Sequence, residues 1–220
     1  MNGALWERPV SYAAVGATRN ADLLRHPPIG YRPLVRRRRI GHGDARFEWA
    51  WVEAMTWGIQ RRAGFRVRAE ESPPEVTENS YIPITFDEHG EPARSVPHED
   101  VIFGPDGTAV VKPGDTVTLF IPFTFFRVPA PARVVYVLDE PKRRGFAYGT
   151  VAGHPEDGEE AFIVEQRRDG SVWVEIRAFS RPSGWFWWMV YPVLRVTQAF
   201  YTARYLRALA VPLPAEATAV

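Results

Sequence analysis

Residues Gly145 to Pro182 read GFAYGTVAGHPEDGEEAFIVEQRRDGSVWVEIRAFSRP, and the fold turns on how this stretch pairs with itself. Its pattern predicts three consecutive antiparallel strands, with charged groups gathered at one end. The second turn carries Asp169-Gly170, the strongest short-range signal for a two-residue hairpin loop. A tight turn there sets Arg168 opposite Ser171, Glu165 opposite Val174, Ile163 opposite Ile176 and Glu159 opposite Ser180. One face then carries Val172, Val174, Ile176 and Ala178 beside Ile163 and Ala161. Glu165 points into that apolar face, and Glu159 and Ser180 stand at its far end. His154 lies in the loop before the strand, near the same end, and Arg181 follows Ser180. A His, two Glu, a Ser and an Arg are expected to converge at one rim of a half-buried sheet.

The rest of the chain bounds what such a rim can serve. With 220 residues, 45% hydrophobic and 24% charged, the chain is long enough for one large domain and too apolar for disorder. We expect a single domain over 1–220, with an irregular excursion at 71–114 and a frayed tail at 212–220. The formal charge of +1 gives no global field for nucleic acid or anionic membranes. Lys112 and Lys142 are the only lysines, so the basic residues are nearly all Arg. Cysteine is absent, which excludes disulfides and thiolate metal sites. The opening MNGALWERPV lacks a basic-then-apolar leader. The longest apolar run, Trp185 to Leu194, is about half the ~20 residues a membrane span needs. These features predict a soluble cytoplasmic protein without a transmembrane segment; nothing in them sets an oligomeric state.

Along the chain, Val10–Val15 and Leu34–Gly41 read as strands, the second carrying Arg36 to Arg39. Asp44 suits the N-cap of an amphipathic helix over Ala45–Ala63, where Phe47, Ala50, Trp51, Ala54, Met55 and Gly58 share one face. Arg61 and Arg62 suit its last turn and Gly64 its C-terminal stop. The Pro-, Glu-, Asp- and Gly-rich stretch Glu71–Gly114 reads as a long excursion, with short strands near Tyr81–Phe86 and Thr108–Val111. Asp115–Phe126 and Arg133–Leu138 are strands, and Asp139–Arg144 turns into the quoted segment. Ser183 can cap a helical piece holding Trp185 to Met189, and Pro192 breaks or restarts it. From Val193 to Ala210, Leu194, Thr197, Tyr201, Arg204, Tyr205 and Ala208 form a helical stripe, widened by Phe200.

This order predicts an α+β fold: a curved antiparallel sheet wrapped on a long C-terminal helix, with the additional helix near 45–63. That is the helix-grip arrangement, and it resembles the architecture of the Bet v 1, START and polyketide-cyclase superfamily. An open antiparallel sheet with a helix layer is the alternative.

Particular motifs resemble a narrower family. GFAYGTVAGHPEDGEEAF joined to VEIRAFSRP, with YAAVGATRN (Tyr12, Gly16, Thr18), IGHG at Ile40–Gly43 and PARVVYV at Pro131–Val137, is similar to uncharacterised protein family 0548 of bacteria and plants. The resemblance runs from about Tyr12 to Leu209 and is most specific in the Gly-His-Pro-Glu…Gly-Glu-Glu run. It implies no family-wide activity, so it assigns no residue a role.

Chemistry is therefore read from residue types. His154, Glu159 and Glu160 are the candidate acid/base groups, because His titrates near neutrality and burial raises a Glu toward it. The same groups, with Ser180 and Arg181, equally suit a network that fixes a tight loop. Ser180 lacks the Gly-x-Ser-x-Gly elbow of a nucleophile. An inward Glu165 either meets a ligand, pairs with Arg36, Arg38 or Arg167, or sits where the face opens to solvent. Arg36 to Arg39 alternate on a strand and cannot form one phosphate clamp; no nucleic-acid module accompanies them. Trp185, Phe186, Trp187 and Trp188 cannot all face one core, so some line a mouth, meet a partner or lie under the excursion. The five His show no HExxH and no i, i+4 pair, so no metal site is expected; His42 with His154 and Glu159 is the one conceivable set. No Walker or Rossmann loop is present, and no cofactor is expected.

These readings converge on a hydrophobic small molecule (a lipid, isoprenoid or polyketide-like compound) held between sheet and last helix. Glu165, Ser180, Arg181, Trp187, Tyr201 and Tyr205 would contact it. The alternatives are a cyclase, dehydratase or hydrolase using His154 with Glu159 or Glu160, and a protein- or membrane-interaction module using the Trp patch.

Overall fold

The structure, a computed structural model, describes residues 4–70, 107–123 and 125–214. Strand β1 (Arg32–His42) leads to helices α1 (Asp44–Met55) and α2 (Gly58–Arg62). Six strands follow: β2 (Arg66–Glu70), β3 (Thr116–Phe123), β4 (Phe126–Glu140), β5 (Arg143–Thr150), β6 (Glu156–Gln166) and β7 (Ser171–Pro182). Helices α3 (Trp185–Met189) and α4 (Tyr191–Ala208) close the fold. All neighbouring strands are antiparallel, in the order β1-β7-β6-β5-β4-β3-β2. The first strand thus returns beside the last, and the concave face wraps α1, α2 and α4 as a helix grip.

The hairpin that decides the register differs from the expected one by a single residue. The loop is Arg168-Asp169-Gly170, with Arg167 bonded to Ser171 and Gly170 in the left-handed region at φ 77°. Asp169 Oδ1 accepts from the Ser171 backbone at 3.0 Å and from its hydroxyl at 2.6 Å, fixing the turn. This three-residue loop places Glu165 opposite Trp173, Val164 opposite Val174, Phe162 opposite Ile176 and Glu160 opposite Ala178. A one-residue slip exchanges the faces of a strand. Val172, Val174, Ile176 and Ala178 face the helices as expected, but their companions on β6 are Gln166, Val164, Phe162 and Glu160. Ile163, Ala161, Glu159 and Glu165 lie on the convex side.

That convex side is also covered. Val10–Val15 is not a strand; Val10 makes one isolated bridge to Val151, and the chain crosses the back of the sheet through a 3-10 turn at Ala17–Arg19. Tyr12, Leu23 and Phe179 form one small core there, and Val135, Tyr136, Ala147, Ala161 and Ile163 another. The expected helix over 45–63 is two helices meeting at Trp57, whose φ of 64° ends the first. A left-handed non-glycine residue costs about 1–2 kcal/mol. Burial of the indole against Phe146, with ring centroids 4.8 Å apart, offsets it. A Cβ on Gly58 would lie 2.5 Å from the Glu53 carbonyl oxygen, so only glycine lets the chain turn there.

Two further elements depart from the sequence reading. β2 was unforeseen, and the Asp115–Phe126 strand stops at Phe123, which pairs with Phe126 at the start of the much longer β4. Thr108–Val111 is irregular apart from a bridge at Ala109, whereas the expected Tyr81–Phe86 strand lies outside the described residues. Pro192 restarts rather than ends the last helix, since a first-turn proline forfeits no helical hydrogen bond. Of the α4 stripe, Tyr201, Tyr205 and Ala208 are buried, while Arg204 and Phe200 are exposed.

Candidate functional site

Between the concave sheet and α4 lies a cavity of about 480 Å³. Its floor is built by inward residues of β3 to β7, its roof by one face of α4, and its entrance by α3 and the β3–β4 turn. Leu119, Ile121, Val128, Ala178 and Leu194 give apolar walls. Polar groups enter at alternate positions of β5, β6 and β7, as pleating requires.

Two linked polar clusters face the cavity. Glu160 accepts the Tyr148 hydroxyl at 2.5 Å, and Tyr205 borders both groups. Across the strand, the Ser180 hydroxyl donates to Glu156 Oε1 at 3.2 Å and receives Gln198 Nε2 at 3.0 Å. No Lys or Arg neutralises either carboxyl among the described ion pairs. Burial pushes the Glu160 carboxyl up to about 7, with the Tyr148 hydroxyl pulling partly back. Burial, and next the Glu160 charge, push Glu156 up to about 7, against the Ser180 hydroxyl. Burial also holds the Tyr148 and Tyr205 phenols well above their ordinary range. Two carboxyls that change charge near neutrality thus sit in one apolar chamber.

The other expected site residues are divided by the sheet. His154 lines the cavity, but its Nδ1 accepts the Glu156 backbone N–H at 3.0 Å, and Ser183 bonds its carbonyl at 2.6 Å. Burial lowers its imidazole to about 4, so it is neutral at physiological pH. Glu159 borders the cavity along its strand while its carboxylate is engaged on the convex side. There it receives Tyr12 Oη at 2.8 Å, Gly16 N at 2.7 Å, Thr18 N at 3.0 Å and the Thr18 hydroxyl. The Tyr12 phenol is raised by burial and by this carboxylate. Glu165 lies outside the cavity, 3.7 Å from Arg167. Arg181 is exposed at the rim, 3.6 Å from Asp157 and over the Tyr31 ring. Trp187, Tyr201, Tyr205 and Ser180 do line the cavity.

His42 is not near His154: its Nε2 meets the Asp169 carbonyl at 2.9 Å, at the opposite end of β7. Among the described residues no three His, Asp or Glu side chains converge as metal ligands, and no helix is long and apolar enough to cross a membrane. Arg36 to Arg39 are all exposed on edge strand β1, where Arg37 meets Glu175 at 3.2 Å. Charge on an unpaired edge discourages strand addition.

Sequence reasoning missed Glu156, Tyr148 and Gln198. The signal was the turn: read with Gly170 as the left-handed third loop residue, the same segment sends Glu156 and Glu160 inward together.

A 77-residue stretch is 40% identical to a UPF0548 protein of Deinococcus radiodurans, covering 35% of this chain and 39% of that one. A 97-residue stretch is 35% identical to a UPF0548 protein of Dictyostelium discoideum, covering 39% and 45%. The matched stretches therefore span less than half the length of these relatives. Among solved structures, the hypothetical protein jhp0584 of Helicobacter pylori is similar with a TM-score of 0.44 and 8% identity, over 90% of this chain and 97% of that one. The family whose sequence model matches is described as "Domain of unknown function (DUF1990)", and the match takes in residues 11–91 and 95–208. With most of its length inside that match, the chain belongs to the DUF1990 family.

Proposed function

We propose that the protein binds a hydrophobic small molecule bearing one polar, hydrogen-bond-donating end. The observation that carries this reading is the cavity of about 480 Å³ with apolar walls and polar groups confined to one side. Ligand sites of this kind use apolar area for affinity and a few fixed polar groups for orientation. Lipids, isoprenoids and polyketide-like molecules have the matching form. Glu160 with Tyr148, and Glu156 with Ser180 and Gln198, would hold the polar end. Native mass spectrometry with solvent extraction, on protein purified from its own source, tests it. A copurified apolar molecule is expected, and it should be lost when Ala178→Phe fills the cavity with the fold intact. A copurified molecule retained by the filled variant would sink the assignment.

A second reading is enzymatic, favoured by two cavity carboxyls raised to about 7. Groups poised near neutrality suit proton transfer, as a cyclase or dehydratase requires. Of the two expected carboxyls, Glu160 is the one that reaches the cavity, and Glu156 takes the place of His154 as its partner. Glu160→Gln with the fold intact should abolish turnover if this reading holds and leave occupancy of the pocket in place.

A further inference from the structure

We propose that the rim of the cavity is a docking surface for an anionic lipid bilayer. α3 contributes no buried residue, so core packing does not account for it. Its Trp185, Trp188 and Met189 are 78%, 54% and 64% exposed. Val196 and Phe200, one turn apart on α4, are also exposed, at 72% and 53%. Across the opening, Phe125 before β4 is 98% exposed and Phe126 at the start of β4 is 53% exposed. Phe126 and Phe186 line the cavity as well as the surface, so these two apolar lips frame one entrance. Scattered exposed apolar residues are ordinary, but a contiguous aromatic rim marks an interaction site.

Charge selects the partner. No Asp or Glu occurs from Pro182 to Pro214, or from Thr116 to Leu138, the two segments that form the lips. Their arginines include Arg127 near the start of β4 and Arg195 and Arg204 on α4. Arg195 lies over the Tyr191 ring and Arg204 over the Phe200 ring. Among the described residues none of the three has a carboxylate partner. Aromatic side chains interleaved with arginines match the boundary between acyl chains and anionic headgroups. A second copy of this chain would oppose the same arginines to one another, which disfavours self-association. Seated on a bilayer, the entrance would face acyl chains without an aqueous gap. Its use in loading an apolar ligand rests on the function proposed above; the docking does not.

The test is co-sedimentation of the full chain with vesicles of phosphatidylcholine, alone or mixed with phosphatidylglycerol. Binding to the mixed vesicles should be about tenfold tighter than to phosphatidylcholine alone and should weaken with added salt. The double variant Trp185→Ser, Trp188→Ser should lose about tenfold or more, because it removes exposed side chains only. Arg195→Gln with Arg204→Gln should erase the preference for the anionic vesicles. Ala178→Phe should dock like the parent while losing the pocket ligand, which separates failure of docking from failure of the ligand reading. Absence of binding to the mixed vesicles overturns the proposal, as does binding that the two Trp substitutions leave unchanged. Dimerisation through the rim in sedimentation velocity, without vesicle binding, overturns it in favour of a second copy.

Discussion

Glu159 and Glu160 are neighbours in sequence whose carboxyls occupy opposite sides of the sheet. Glu159 is filled by donors of the N-terminal segment, with Tyr12 Oη at 2.8 Å, while Glu160 accepts the Tyr148 hydroxyl, at 2.5 Å, inside the cavity. Strand alternation thus divides a latch from a site. Glu159→Gln should destabilise the fold by about 2–4 kcal/mol, because it replaces an acceptor of charge-assisted bonds at a buried position. Hydrogen exchange at Tyr12 to Thr18 should accelerate in this variant, with pocket ligand retained. Unchanged exchange there would show that the latch does not hold the segment.

Glu160→Gln tests the cavity carboxyl through pH. The folded value is raised to about 7 from an ordinary 4.5, so the folded state binds more protons between these limits. Its contribution to stability is therefore full below about 4.5 and declines as pH rises toward 7. Gln mimics the protonated acid and lacks this decline. The variant should match the parent in urea denaturation at low pH and be the more stable of the two above neutrality. His154 acts in the other direction. Its value of about 4 makes neutral imidazole the folded form, so its contribution grows as pH rises from 4 to 6.5. The effect is therefore read as the difference between variant and parent, from which His154 cancels and in which the part of the Glu156 shift caused by the Glu160 charge is included. Equal midpoints for both proteins at every pH would refute the raised carboxyl.

How much of this was legible in the sequence depends on contrast between faces. On β7 the inward Val172, Val174 and Ile176 alternate with Trp173, Glu175 and Arg177, so its inner face was readable. On β6, Ala161, Phe162, Ile163 and Val164 are continuously apolar because the N-terminal segment buries the convex side too. Pattern cannot choose between two buried faces, and the choice fell to a turn whose length differs by one residue. The two helices before β2 show the same limit. Their apolar periodicity was clear, but nothing marks Trp57 as a left-handed residue. β2 itself, Arg-Val-Arg-Ala-Glu, is too short and too charged to stand out as a strand.

Gly170→Ala tests the turn directly. Its φ of 77° disfavours any Cβ, and an added Cβ would lie 2.6 Å from His42 Nε2. The substitution should cost about 1–2 kcal/mol in equilibrium unfolding. Adding His42→Ala should recover the steric part and leave the backbone part. If Gly170→Ala is neutral, the loop has another conformation and the inward set of β6 must be reassigned.

Tyr148→Phe separates apolar from polar recognition in the pocket. It deletes one hydroxyl, keeps the ring that packs beside Phe162 at 5.9 Å, and leaves the Glu160 carboxyl without its donor. Since that hydroxyl lowers the Glu160 value, its loss should move the carboxyl further upward and keep it protonated at neutral pH. A protonated acid both donates and accepts, so the orientation of a polar-headed ligand changes while the apolar walls do not. Affinity for a long-chain alcohol should shift by about 1 kcal/mol, and affinity for the matching hydrocarbon should not move. An equal loss for both probes would mean that Tyr148 shapes the chamber rather than reading the polar end, and would leave Glu156 with Ser180 as the orienting pair.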